Sequence, residues 1–217
     1  PLIALQYHEV RLDFDLSSDF GTEMTGFKVW ANYVYLDTEE RRRFAQKGHE
    51  YLIEQVQHTG TDSVTTATET QKRLSYNHPV KELIWTVQDT TATTGGTGTA
   101  DATANVQGTI ANQNDWFNYM ANASTTSEFV NGAESYEPFA NFKLQLNGHD
   151  RFTARKASYF RTVQPLQAGH CVPEKHVYNY SFALKPEEHQ PSGTCNFSRI
   201  DNARMIFEDG VTSDNNL

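Results

Sequence analysis

The chain has 217 residues, with 18 Lys and Arg against 27 Asp and Glu, a net charge of −9. That length builds a substantial core without disulfide staples, and the 12% aromatic content separates it from disordered chains despite a mean hydropathy of −0.64. The acidic balance argues against broad binding to nucleic-acid backbones. No apolar run reaches the ~20 residues that span a bilayer, nothing at Pro1 resembles a signal peptide, and two cysteines, Cys171 and Cys195, cannot form a disulfide framework and are expected to be reduced thiols.

In chain order, Ile3, Leu5 and Tyr7 share one parity and Val10, Leu12, Phe14 and Leu16 the other. This predicts a strand with a bulge or bend near His8-Glu9, or two strands. Residues 27–36 carry aromatics on both parities and are predicted as a strand covered on both faces. Asp37-Thr38-Glu39-Glu40-Arg41-Arg42-Arg43-Phe44 predicts a short helix. Asp37 caps it, Glu40 reaches back, acids sit in the first turn and bases in the last, and Glu39 can pair with Arg43. Further strands are predicted at 50–57, 72–76, 80–88, 176–184 and 197–207.

The clearest strand is Ala140-Asn141-Phe142-Lys143-Leu144-Gln145-Leu146-Asn147, where Phe142, Leu144 and Leu146 form an apolar face opposite Asn141, Lys143, Gln145 and Asn147. A weaker helical turn is expected within 151–160. Residues 58–71, rich in Thr, read as loop. From Asp89 to Thr109, Thr, Gly and Ala supply 16 of 21 residues, too few apolar anchors to offset the entropy of ordering. A long surface loop over about 89–138 follows. About eight strands without alternating helices predict an all-β fold, an antiparallel eight-stranded sandwich with long loops and one or two short helices. One domain over 1–217 is expected.

No reaction centre assembles from spacing. The eight histidines form no His-x-His, His-x-x-x-His or His-Glu-x-x-His pattern. His170-Cys171 with His176 is the nearest metal-like group, with His149 a distant addition, and local loop hydrogen bonding explains it more simply. Gly-x-Ser-x-Gly and a phosphate loop are missing, since Gly95-Gly96-Thr97-Gly98 has no following Lys. Arg41-Arg42-Arg43 reads as the compensated end of a helix, and Tyr178, Tyr180 and Phe182 read as core before they read as a stacking platform. Sequons occur at Asn122, Asn179 and Asn196. Catalytic, cofactor and metal residues are therefore expected to be none. The competitors are a cupin-like metalloenzyme using His149, His170 or His176 and a carbohydrate-binding sandwich using Trp116, Tyr178 or Tyr180.

Ser158-Tyr159-Phe160-Arg161-Thr162-Val163-Gln164-Pro165 leads into the Tyr-rich row from His176 to Leu184. Then follow Lys185-Pro186-Glu187-Glu188, Gln190-Pro191-Ser192-Gly193 and Asn196-Phe197-Ser198-Arg199. In this order they resemble the major capsid proteins of nucleocytoplasmic large DNA viruses, the group of iridoviruses and large algal viruses. Leu2-Ile3-Ala4-Leu5-Gln6-Tyr7-His8-Glu9-Val10 and Leu83-Ile84-Trp85 extend the resemblance over nearly the whole chain. It implies a double jelly roll per polypeptide, a homotrimer of pseudo-hexagonal outline, and an icosahedral shell in which neighbouring capsomers and minor capsid proteins are the partners. It further implies a virion location, assembly in the host cytoplasm and no enzyme activity. The chain has room for one jelly roll, and its opening resembles the start of the second, so the carboxy-terminal half is expected. A single-jelly-roll minor or vertex protein is the alternative.

Overall fold

The structure is a computed structural model, and it describes residues 7–15, 26–64, 69–89, 119, 137–211 and 215–216. Two units are distinguished, Pro1–Gln55 and Val56–Leu217.

In the first unit the sequence's capping signal is realised. Helix α1 (Thr38–Gln46) begins at Asp37, whose carboxylate accepts the Glu40 backbone N–H at 2.9 Å. Glu39 pairs with Arg42 at 2.8 Å, one position short of the expected Arg43. The helix buries none of its residues. The strands expected at 27–36 and 50–57, and the described part (7–15) of the bent strand expected from Ile3 to Leu16, are not found among the described residues; residues 3–6 and 16 lie outside them. Val10, Leu12, Trp30, Val34, Tyr35 and Ile53 are apolar residues of these expected strands, yet all are well exposed. An apolar row becomes a strand only when a neighbouring backbone ladder forms along it, and every sheet recorded among the described residues lies in the second unit.

The second unit holds the sheets. Its segments are β1 (Ser63–Val64), β2 (Glu69–Leu74), β3 (Pro79–Val80), β4 (Glu82–Thr86), β5 (Gln88–Asp89), β6 (Phe139–Leu146), β7 (His149–Asp150), β8 (Arg155–Lys156), β9 (Val177–Ser181), β10 (Cys195–Asn196), β11 (Ala203–Val211) and β12 (Asn215–Asn216). Among the described residues, five of these twelve run to five residues or more, against the eight strands expected. The excess is fragmentation: the predicted 80–88 strand is split into β3, β4 and β5, and 197–207 becomes a 3₁₀ turn at Phe197–Arg199 followed by β11. The predicted 58–71 loop contains β1 and the start of β2.

Among the described residues all pairings are antiparallel, as expected. The largest sheet runs β2-β11-β6-β7, with β8 also on β6, and β4 pairs with β9 in a second layer. Period-two patterning decides what lies between the layers. Phe142 and Leu144 from β6, and Ala203, Met205 and Phe207 from β11, face Leu83 and Trp85 from β4 and Tyr178 from β9. Trp85 packs on Phe142 at 4.7 Å and on Tyr178 at 6.0 Å between ring centroids, contacts that add to simple area burial. Register shifts between Glu208 and Val211, where β11 carries one extra residue against β6. Such a bulge sharpens local twist, and Phe139 is buried there although it lies on the opposite parity from Phe142. On the outer face, Ile206 is 3% exposed between its cross-strand neighbours Gln71 and Lys143, beneath the pair Lys143–Glu208 at 2.5 Å.

The helical turn expected within 151–160 starts later and runs longer. Residues 157–167 are helical, a π turn at Tyr159–Val163 leading into α2 (Gln164–Gln167). The wider turn accommodates a run with two β-branched residues ahead of Pro165. It seats Phe160 in the core, against Trp85 at 5.7 Å and Phe142 at 5.0 Å.

Candidate functional site

Three polar constructions fix how the strands are joined. The first is the connector 182–194, between β9 and β10. The Phe182 N–H donates to the Lys81 carbonyl at 2.8 Å, and the Lys81 ammonium reaches the Glu188 carbonyl at 2.9 Å. Ser192 Oγ accepts the Lys185 N–H at 2.8 Å and donates to the Lys185 carbonyl at 3.2 Å, closing the stretch that holds Pro186 and Pro191. At Gly193 φ is +158°, a backbone conformation that residues with a Cβ rarely adopt, and space is short as well. A Cβ there would stand 2.6 Å from the Phe182 carbonyl oxygen and 3.1 Å from Ala183 Cα. These are backbone atoms that cannot swing aside, and Gly193→Ala is expected to cost about 1–3 kcal/mol, read as a lower urea midpoint with an unchanged m-value.

The second construction lies where the chain enters β6. Glu137 receives Arg161 Nε at 2.9 Å and a second guanidinium nitrogen at 2.8 Å, and its other oxygen accepts the Tyr178 hydroxyl. Burial, then the Glu137 charge, drive the Tyr178 pKa far above its ordinary value, so the phenol stays a donor. His176 is 3% exposed, and neither ring nitrogen has a partner. Burial pushes its pKa down, with Arg161 acting in the same sense and Glu137 against it.

The third is His170, on the turn after α2. Its Nδ1 lies 2.8 Å from Glu187 Oε1 on the connector and its Nε2 2.8 Å from Glu82 Oε1 on β4. Asn179 Nδ2 also donates to Glu82, at 2.6 Å.

The metal candidates suggested by the sequence are therefore separated: His170 belongs to the Glu82–Glu187 cluster, His176 to the Glu137–Arg161 cluster, and Cys171 is exposed. Among the described residues, no group of three His, Cys, Asp or Glu is arranged to hold a metal ion. His149 is exposed on β7, and Cys171 and Cys195 are free thiols. Arg41, Arg42 and Arg43 lie on the exposed α1. Tyr178 is fully buried, and Tyr180 and Phe182 pack against the core, so no stacking platform remains there. Asn179 is buried and its sequon is closed in the folded state, whereas Asn196 is exposed and caps the 3₁₀ turn through the Ser198 N–H at 3.0 Å. Trp116, Asn122 and all but three residues of the 89–138 loop's interior and end (119, 137 and 138) lie outside the described residues. Sequence reasoning does not single out Glu82, Glu137 or Arg161 as polar anchors. Their partners are 24 to 97 residues away, and nothing local marks them.

The family described as large eukaryotic DNA virus major capsid protein matches residues 40–213. The chain belongs to that family. It is 45% identical to the major capsid protein of Paramecium bursaria Chlorella virus 1 over 94% of this chain and 49% of that protein. It is 41% identical to the major capsid protein of Pyramimonas orientalis virus, over 100% of this chain and 51% of that one. The chain thus spans about half the length of the curated relatives it matches. Among solved structures, the quasi-atomic model of the PBCV-1 virus capsid superposes with a TM-score of 0.58 at 40% identity, over 81% of this chain and 42% of that one. The antiparallel sandwich is that of the viral capsid jelly rolls, and capsid proteins of this family are virion components of a structural rather than an enzymatic class. Among the described residues, no helix is long and apolar enough to cross a membrane.

Proposed function

We propose that the chain is a wall-building part of an icosahedral virus shell, that it acts as the carboxy-terminal half of a double-jelly-roll polypeptide, and that three such polypeptides form a pseudo-hexagonal capsomer assembled in the host cytoplasm. The observation that carries this is similarity along 94% of the chain to a major capsid protein of twice its length. The sandwich of Val56–Leu217 is the second jelly roll on this reading, which refines the expectation of one domain over 1–217. The exposed apolar residues of Pro1–Gln55, Trp30, Val34, Tyr35 and Ile53 among them, find their cover in the rest of the full polypeptide. An exposed apolar row of that kind marks an interaction surface. Neighbouring capsomers and minor capsid proteins are the remaining partners, and a net charge of −9 argues against direct, broad binding of nucleic acid by this chain.

The test is the mass of the full polypeptide, expressed with its natural preceding residues, by native mass spectrometry. Three copies per particle are expected; a folded, monodisperse monomer overturns the trimer. Copy number in purified virions separates this role from that of a vertex or minor protein, which would be present in small numbers instead of as the dominant protein.

A further inference from the structure

His170 stands between two carboxylates, with Glu187 Oε1 2.8 Å from Nδ1 and Glu82 Oε1 2.8 Å from Nε2. Ionised carboxylates only accept hydrogen bonds, so both ring nitrogens must donate, and a histidine donates from both only as the imidazolium. A neutral ring would point a lone pair at one of the two oxygens. The two anchors differ in firmness. The Glu82 side chain is 12% exposed and is also held by Asn179, whereas the Glu187 side chain is 76% exposed and sits on a connector outside the strands.

We propose that His170 is a protonation-gated latch that, as imidazolium, ties the connector 185–191 to β4 and, when neutral, keeps Glu82 and lets Glu187 go. The charged groups acting on the ring are Glu82 from β4 and Glu187 from the connector; β9 contributes only the neutral Asn179. Burial pushes the ring toward neutrality, and the hydrogen bond to Glu187 with the charge of Glu82 more than offsets it, leaving the pKa raised above its ordinary value. With the folded value raised, the latch is fully present below the ordinary histidine range near 6.5 and is lost as pH climbs through the raised value. The inference rests on the fold alone, so its failure would leave the capsid reading untouched.

Hydrogen exchange of the 217-residue chain, corrected for the intrinsic pH dependence of exchange, tests it between pH 6.5 and 9, above the range in which His176 loses its contribution. The expected result is protection of amides in 182–192 that falls about tenfold as pH rises, the scale of one charge-assisted hydrogen bond, while β6 and β11 stay unchanged. Both His170→Gln and Glu187→Gln should show low, pH-independent connector protection with the core still protected. The latch is overturned if wild-type connector protection does not change with pH, if either variant keeps the wild-type response, or if the His170 ring titrates by NMR at or below the ordinary value.

Discussion

Replacing Phe142 by alanine is expected to destabilise the chain by about 3–5 kcal/mol. Phe142 is fully buried and joins both layers with the helical cover. Its ring lies 4.7 Å from Trp85, 5.0 Å from Phe160, 5.4 Å from Phe207 and 6.0 Å from Phe152. Its neighbours come from four separate parts of the chain, so they cannot collapse together into the space it leaves, and the cavity cost adds to the lost transfer energy. The contrast is Ile84, next to Trp85 on β4 but 66% exposed, where alanine should change stability by no more than about 0.5 kcal/mol. Urea denaturation of both variants, followed by tryptophan fluorescence, reads the difference. Equal losses would refute a core centred on Phe142.

Removing one partner at the entry to β6 is the second large effect. In Arg161→Met, Glu137 keeps its charge among Tyr178 and the core with nothing positive beside it. Stranding a charge in this way costs about 3–5 kcal/mol when the pair is fully buried. Side-chain exposures of 17% and 15% admit some water, so about 2–3 kcal/mol is expected here. Arg161→Met with Glu137→Gln should recover a large part of the loss, because no unpaired charge remains. His176 adds a pH signature at the same place. Its folded pKa is lowered, so its contribution is present above the ordinary value near 6.5 and is lost as pH falls below it. His176→Leu should flatten the acid side of the stability profile measured between pH 7 and 5. Unchanged acid sensitivity in that variant would assign the effect to other groups.

Much of the sandwich is legible in the sequence because inward residues recur at period two. The β6 row, the Tyr178 row and the capped α1 can each be read from a window of ten residues. What escapes is whatever depends on a partner. Residues 27–36 and 50–57 have the apolar and aromatic content of strands, but composition states what could be buried, not which backbone will pair. Helicity at 157–167 is only partly visible because Thr162, Val163 and Pro165 weigh against it, and the anchoring of Phe160 among Trp85, Phe142 and Phe152 outweighs local preference. The polar ties are hidden for a different reason. Glu82 meets His170 and Asn179 across 88 and 97 residues of chain, and no spacing rule spans that.

The place of β11 has a consequence for how the protein is made. It lies in the middle of the largest sheet, between β2 and β6, with Glu208 opposite Glu69. A ribosome emitting this chain exposes β2 and β6 long before the strand that must slot between them. Such distant pairing is slow, and its waiting edges are prone to stray association. The same arrangement works as a completeness check: a product truncated before Ala203 leaves β2 and β6 without the strand that joins them.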